Sequence, residues 1–213
     1  MGVRGIVFDL DGTLVDSAPS VACVLNEMRA EHGIAPAPDS RYRGWISLGA
    51  PTLVRNALDL QTGDCAVELA EFRRRLARHT VPSSSLYAGV PDVLERLARR
   101  GMALSICSNK PESLCVKLLE DTGIAGYFRA VIGGDTTSAS KPSREPILAA
   151  LAGMGTGPDD TIFVGDSTVD QKGSAAAGVR FVFFAGGYDD GVRRADCFLT
   201  IHEISEVDDV TRI

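Results

Sequence analysis

Three carboxylates follow short apolar runs in the sequence and could together hold a metal ion. Asp9 and Asp11 come directly after the apolar run 5–8, and Asp166 comes just after the apolar run 161–164. Carboxylate oxygens are the hard ligands that Mg²⁺ prefers in proteins, and this ion usually keeps positions for water and a substrate phosphate. The three acids are therefore candidate magnesium ligands.

A hydroxyl group and an ammonium group complete this set of candidate residues. Ser108 follows the apolar run 103–107 at the start of a helical stretch, where its hydroxyl and nearby backbone N–H groups could bind phosphate oxygens. Lys141 lies in the loop after the apolar run 130–132 and could supply a positive charge for an anion. Carboxylates, one lysine and a metal are typical of phosphoryl transfer rather than of redox or acyl-transfer chemistry.

The apolar runs before these residues have the pattern of buried strands. They are continuous rather than alternating, as in strands covered on both faces of a parallel sheet. Helical stretches that end before a glycine lie between them, at 91–100, 112–122 and 167–177. This alternation predicts an α/β fold with a doubly wound parallel sheet, whose ligands bind beyond the carboxyl ends of the strands. The predicted strands are 5–8, 103–107, 130–132, 161–164 and 180–184.

Residues 17–85 interrupt this alternation. They contain no convincing strand, and a crossover helix would need only about a dozen residues. The stretch therefore predicts an all-α module inserted into the sheet domain, with 82–85 as the returning linker. The predicted domains are an α/β core of 1–16 and 86–213 and a helical module of 17–85. Apolar residues recur at helical spacing in three groups, which are Val21, Leu25 and Met28, then Leu53, Ala57 and Leu60, then Val67, Ala70 and Leu76.

The composition weighs against several other classes of protein. Of the 213 residues, 45% are hydrophobic and 23% are charged, which is typical of a globular chain. The net charge of −6 disfavours nucleic acid and anionic membrane surfaces as partners. No apolar run approaches the roughly 20 residues of a membrane span, and the five cysteines form no Cys-x-x-Cys pair. We expect a cytoplasmic protein, and the sequence leaves its oligomeric state open.

Taken together, the motifs resemble those of the haloacid dehalogenase superfamily. The resemblance rests on FDLDGTLVDS at 8–17, Ser-Asn-Lys at 108–110, Lys-Pro at 141–142 and Gly-Asp-x-x-x-Asp at 165–170. These motifs occur in the order and spacing of the superfamily and span nearly the whole chain. Further segments at 87–90, 133–135 and 185–188 make the chain most similar to the phosphoglycolate phosphatase-like group.

The resemblance implies a role for each of these residues. Asp9 would attack phosphorus and form an aspartyl-phosphate, which is covalent catalysis by a carboxylate. Asp11 would protonate the leaving alkoxide and then deprotonate the hydrolytic water. Its backbone carbonyl would also contact the metal, and Asp170 would support the metal directly or through another ligand. The phosphate-binding residues would be Ser108, Asn109 and Lys141, and the Mg²⁺ site would comprise Asp9, Asp11, Asp166 and Asp170.

The helical module resembles the cap of this superfamily, which closes over the site and contacts the leaving group. Its candidate specificity segment is 41–49, in which Arg43 could meet a substrate carboxylate and Trp45 could contact the substrate. The arginines at 73–75 have the pattern of the solvent-exposed face of a helix. The phosphonate-cleaving branch of the superfamily uses a cap lysine, and residues 16–109 contain none.

The leading hypothesis is a Mg²⁺-dependent phosphatase for a small phosphorylated metabolite, with 2-phosphoglycolate as the first-guess substrate. The acid at position 11 disfavours halide chemistry, because the dehalogenases of the superfamily lack one there. The alternatives are a sugar phosphomutase similar to β-phosphoglucomutase, a nucleotidase or a pyrophosphatase. A non-catalytic regulator with the same fold is less favoured, because each expected catalytic position keeps its residue.

Overall fold

The computed structural model describes residues 2–60 and 64–212, and a parallel sheet lies at its centre. Six strands pair in the order β3-β2-β1-β4-β5-β6, and every pair is parallel. The predicted doubly wound α/β fold is confirmed. The strands are β1 (Gly5–Phe8), β2 (Ala103–Cys107), β3 (Ala130–Ile132), β4 (Thr161–Gly165), β5 (Arg180–Phe184) and β6 (Leu199–Ile201).

The strands are apolar on both faces because each face packs against helices. In β1, Ile6 and Phe8 belong to one hydrophobic cluster, whereas Val7 belongs to a second cluster on the opposite face. The same division holds in β4, where Phe163 lies on the face of Val7. This two-sided burial explains why the strands appear in the sequence as continuous apolar runs.

Within the part of the chain that the structure describes, four helices lie between β1 and the rest of the sheet domain, and we call residues 18–78 the helical insert. Their side chains form a third hydrophobic cluster, in which Tyr42 and Phe72 are almost fully buried. Two details of the predicted pattern are wrong. Leu60 lies beyond the end of its helix, and Val67 is 79% exposed because it projects away from this cluster. The helices are α1 (Ala18–Glu31), α2 (Asp39–Ile46), α3 (Ala50–Ala57) and α4 (Ala66–Arg78).

The remaining helices cover the two faces of the sheet. The three that the sequence predicted are present within about a residue of the expected bounds, whereas α7 and the short α9 were not predicted. These helices are α5 (Val90–Arg99), α6 (Glu112–Asp121), α7 (Glu145–Met154), α8 (Thr168–Ala177) and α9 (Val207–Val210). No helix among the described residues is both long enough and apolar enough to cross a membrane.

The strand order determines where a ligand can bind. β1 lies between β2 and β4, and the chain winds outward in opposite directions from these central strands. Such a switch point leaves a crevice beyond the carboxyl ends of the central strands. Asp9, Ser108 and Asp166 are the residues that directly follow β1, β2 and β4, so the sheet brings them to this crevice.

Candidate active site

A buried lysine connects two carboxylates at this edge of the sheet. The Nζ atom of Lys141 lies 2.9 Å from Oδ1 of Asp9 and 2.6 Å from Oδ1 of Asp170. Burial disfavours the charge of Lys141, but Asp170 and Asp9 outweigh this effect and raise its pKa. Lys141 is therefore a fixed positive charge beside Asp9.

Three buried carboxylates lie close enough together to hold a metal ion. One oxygen from each of Asp9, Asp166 and Asp170 lies within 4.8 Å of the others. Burial, followed by the nearby charge of Asp170, raises the pKa of Asp9 to about 7, and Lys141 opposes this rise. Burial and the charges of Asp9 and Asp170 also raise the pKa of Asp166. Three acids against one ammonium leave excess negative charge, and an all-oxygen donor set fits a hard divalent cation.

Asp166 is held in place by two hydrogen bonds. The hydroxyl of Thr13 donates to Oδ1 at 2.8 Å, and the backbone N–H of Tyr188 donates to Oδ2 at 2.8 Å. Gly12 passes so close that a Cβ atom there would lie 2.3 Å from Oδ2 of Asp166, and its φ of +87° also favours glycine. The loop after β1 therefore needs a glycine at this position.

Both carboxylate oxygens of Asp170 are engaged. Oδ1 contacts Lys141, and Oδ2 accepts hydrogen bonds from the backbone N–H of Ser167 at 3.1 Å and from its hydroxyl at 2.6 Å. Ser167 is the N-cap of α8, and this reciprocal pair forms a capping box that anchors the helix. Asp170 thus holds Lys141 in position as well as adding charge to the cluster.

Asp11 lies apart from the three-acid cluster and forms an ion pair with Lys110. The Nζ atom of Lys110 is 2.6 Å from Oδ1 and 2.7 Å from Oδ2 of Asp11. Both side chains are largely buried, with 12% and 10% exposure. The pair is therefore poorly screened by solvent and orients the Asp11 carboxylate.

The loop after β2 connects to the Lys141 loop. Ser108 is 3% exposed, and its hydroxyl accepts a hydrogen bond from the backbone N–H of Lys110. The side-chain amide of Asn109 donates to the backbone carbonyl of Lys141 at 3.0 Å. Asn109 therefore positions Lys141, and its buried Oδ1 has no hydrogen-bond partner among the described residues.

A cavity of about 60 Å³ lies between these residues and the helical insert. Since about 10–15 Å³ of such volume corresponds to one water-sized position, the space suits a small ligand. Its core side is polar and is formed by Asp9, Asp11, Ser108, Asn109, Lys110 and Lys141. On the insert side, apolar side chains predominate, including those of Val21, Ile46, Leu53, Phe72 and Leu76.

The two residues predicted to read the substrate from the helical insert lie elsewhere. Arg43 forms ion pairs with Asp16 at 2.8 Å and Asp39 at 3.3 Å, and its guanidinium lies over the ring of Tyr188. Trp45 packs edge-on against Tyr42. Among the described residues that line the cavity, neither Arg43 nor Trp45 is present. From the predicted segment 41–49, the cavity is instead lined by Ile46, Ser47 and Gly49.

Comparison with known proteins identifies the family. The family model for haloacid dehalogenase-like hydrolases matches residues 6–184. The chain belongs to this family. The matched range includes the four motifs at 8–17, 108–110, 141–142 and 165–170, so the predicted family is confirmed.

Several similar proteins of this family are named phosphoglycolate phosphatase. The chain is 38% identical over 194 residues to phosphoglycolate phosphatase 1 of Pseudomonas aeruginosa. This alignment covers 88% of this chain and 71% of that protein. It is 36% identical over 206 residues to phosphoglycolate phosphatase of Yersinia pseudotuberculosis, with 92% and 89% coverage. A crystal structure of a predicted phosphoglycolate phosphatase from Haemophilus somnus has a TM-score of 0.85 at 26% identity and covers 98% of both chains.

Several contacts of this haloacid dehalogenase-like site were not assigned from the sequence. Lys110 lies directly after Ser108 and Asn109, and its position after a strand was the signal for a role in the site. Tyr188 follows β5, also at the carboxyl edge, but nothing in its type distinguishes it from a packing residue. Thr13 and Ser167 are small hydroxyl residues beside predicted acids, and only the three-dimensional contacts identify them as their hydrogen-bond donors.

Proposed function

We propose that the chain is a Mg²⁺-dependent phosphatase that hydrolyses a small organic phosphate monoester through an aspartyl-phosphate on Asp9. The observation that carries this proposal is the position of the Asp9 carboxylate, which lies 2.9 Å from the Lys141 ammonium and within a cluster of three buried acids. The names of relatives that are 36–38% identical support the same class, a phosphoric monoester hydrolase.

In the first step, an oxygen of Asp9 attacks phosphorus while the bond from phosphorus to the leaving oxygen breaks. Lys141 and Ser108 bind oxygens of the transferring phosphoryl group, and Asn109 keeps the Lys141 loop in place through its carbonyl. Asp11 gives its proton to the leaving oxygen, so the product is a neutral alcohol. The result is an aspartyl-phosphate on Asp9.

In the second step, Asp11 acts as a base. It takes a proton from a water molecule, the water oxygen attacks phosphorus, and the bond to Asp9 breaks to release phosphate. The contacts of Lys110 with both oxygens of Asp11 orient its side chain for this proton transfer.

The metal would be held by side chains of Asp9 and Asp166 and by the backbone carbonyl of Asp11. Asp170 would support this site indirectly, because its Oδ1 contacts Lys141 and its Oδ2 contacts Ser167. When bound, Mg²⁺ would offset the negative charge of the carboxylates and of the phosphate oxygens. The raised pKa of Asp9 and of Asp166 supports the need for a cation here.

We further propose that the helical insert serves as a cap over the site, with the domains divided as 1–16 and 86–213 against 17–85. Its apolar wall would exclude water from the reacting groups. The cavity of about 60 Å³ favours a small leaving group, which supports 2-phosphoglycolate over a nucleotide or a sugar bisphosphate. The small phosphorylated metabolite is thus the proposed partner.

The test is a panel of phosphate monoesters assayed for phosphate release with Mg²⁺ and with EDTA. Asp9→Asn keeps the shape of the nucleophile and should reduce turnover at least about a thousandfold, since covalent catalysis is lost. Asp121→Asn, outside the cavity, is the matched control. Release of phosphate by Asp9→Asn at the wild-type rate would refute the mechanism. Isomerised hexose phosphate in place of free phosphate would identify a mutase.

A further inference from the structure

Lys110 is the charged side chain in direct contact with Asp11, the residue proposed to protonate the leaving oxygen. Its ammonium lies within 2.7 Å of both oxygens of Asp11, and both residues line the cavity. An ammonium has three N–H donors, and Asp11 accounts for two of them. The structure gives Lys110 no other side-chain acceptor among the described residues. One donor therefore remains for a ligand.

The position of Lys110 relates directly to the leaving group. If Asp11 protonates the leaving oxygen, that oxygen lies within hydrogen-bond distance of the Asp11 carboxyl. A carboxylate attached to the ester carbon has its carbon only two bonds away from that oxygen. Such a group falls within reach of the Lys110 ammonium, which already contacts Asp11. The opposite wall is mostly apolar and would strengthen this charge pair by excluding water.

We propose that Lys110 is the specificity residue that binds a carboxylate attached to the ester carbon of the leaving group. This assignment rests on the proposed function, because it places the leaving oxygen beside Asp11. It gives Lys110 two tasks, to orient Asp11 and to select monoesters of short hydroxy acids. Among the described residues that line the cavity, the cation besides Lys110 and Lys141 is Arg73, which lies on α4 of the helical insert.

The test compares 2-phosphoglycolate with ethyl phosphate, which has a two-carbon leaving group without the carboxylate. Lys110→Met removes the charge and keeps the length of the side chain. It should lower the ratio of kcat/KM for 2-phosphoglycolate to that for ethyl phosphate about tenfold or more, mainly through KM, since a hydrogen bond between charged groups is lost. Taking the ratio cancels any common effect on Asp11. Lys110→Arg should restore part of the preference.

Two variants show whether the effect belongs to Lys110. Lys117→Met breaks another lysine–aspartate ion pair, with Asp121, outside this cavity, and should leave the ratio within about twofold. Arg73→Met tests the other cation of the wall. A ratio that falls with Arg73→Met and stays constant with Lys110→Met would overturn the proposal.

Binding measurements separate this proposal from the proposed function. In the Asp9→Asn background, calorimetric titration should show that Lys110→Met weakens 2-phosphoglycolate about tenfold and inorganic phosphate less than about twofold. Equal weakening of both ligands, or no binding of 2-phosphoglycolate at all, would contradict the role of Lys110. Failure of the proposed function would instead appear in the wild-type protein, as no phosphate release from any monoester.

Discussion

Arg43 of the helical insert forms an ion pair with Asp16, whose carboxylate lies 2.8 Å away in the segment between β1 and α1. The Arg43 guanidinium also lies 5.4 Å from the centre of the Tyr188 ring. The hydroxyl of Tyr188 donates to Asp16, and its backbone N–H donates to Asp166. A short series of contacts thus connects the helical insert to one acid of the candidate metal site.

Arg43→Met should loosen this connection without unfolding the protein. The ion pair is partly exposed, so the ion pair and the ring contact together contribute about 1 kcal/mol. We expect Tm to fall by roughly 2–4 °C for a chain of this size and kcat/KM to fall several-fold. Calorimetry and steady-state assays provide the measurements. Arg41→Met, which removes the contact of its guanidinium with the Trp45 ring, is the control. A fall in kcat/KM of equal size for Arg41→Met would contradict the connection.

The pKa of Asp9 predicts how metal binding depends on pH. Its pKa of about 7 in the folded chain lies above the ordinary value of 3.8, so the metal-free folded chain binds this proton more tightly than the unfolded chain. The associated stability is complete below about pH 4 and is lost as the pH rises through about 7. A metal must displace the proton, so Mg²⁺ should raise Tm more at about pH 8 than at about pH 6.

Thermal unfolding with Mg²⁺ and with EDTA at the two pH values measures this difference. Asp166→Asn replaces one of the three clustered carboxylates by a neutral amide and should abolish most of the Mg²⁺ effect. An increase in Tm that is the same at both pH values would show that Asp9 does not exchange a proton for the metal.

Gly12→Ala should disable the site through a steric clash with Asp166. The new Cβ atom would lie 2.3 Å from Oδ2 of Asp166, and the backbone has a φ of +87°. We expect a loss of activity of about a hundredfold or more and a loss of the Mg²⁺-dependent increase in Tm. Gly33→Ala is the matched control, because Gly33 also has a positive φ, +69°, but a Cβ there meets nothing within 4 Å. Both variants should lose about 1–2 kcal/mol from backbone strain, so only a difference between them reports the clash.

Most of the sheet could be predicted because its strands are buried on both faces. β1, β2 and β4 each appear as a mainly apolar run without polar alternation, and the residues after them reach the site by the geometry of the sheet alone. The edge strand β6 has only three residues, and the middle one, Thr200, is polar, so it lacks this signal. α2 buries only Tyr42, and its sequence therefore shows no apolar periodicity.

The contacts between side chains could not be predicted from sequence patterns. Asp16 and Tyr188 are far apart along the chain, and only the winding of the sheet brings their side chains within 3.0 Å. Arg43 has the same residue type whether it binds a substrate or an acid of its own chain. Its partner is decided by how α2 packs beside the segment that follows β1, which depends on the whole helical insert.

Lys141→Met should be the most disruptive single change at the site, because it removes the ammonium between Asp9 and Asp170. Both carboxylates would then be buried without their nearest positive charge, and breaking a buried ion pair in this way costs about 3–5 kcal/mol. Activity should fall about a thousandfold or more, since the phosphoryl group loses a binding charge. The pKa of Asp9 should rise further, because Lys141 is the group that lowers it. The stability loss should therefore be larger at about pH 8 than at about pH 6, where Asp9 can bind a proton.

Chemical denaturation at both pH values in EDTA measures this loss. Lys117→Met is the control, because its ion pair with Asp121 is partly exposed and should contribute about 1 kcal/mol or less. If Lys141→Met lost no more stability than Lys117→Met, the Lys141 ammonium would not be the group that compensates the buried negative charge of Asp9 and Asp170. Since Mg²⁺ would supply positive charge to the same carboxylates, it should recover part of the stability of Lys141→Met without recovering activity, because the phosphoryl group would still lack the lysine.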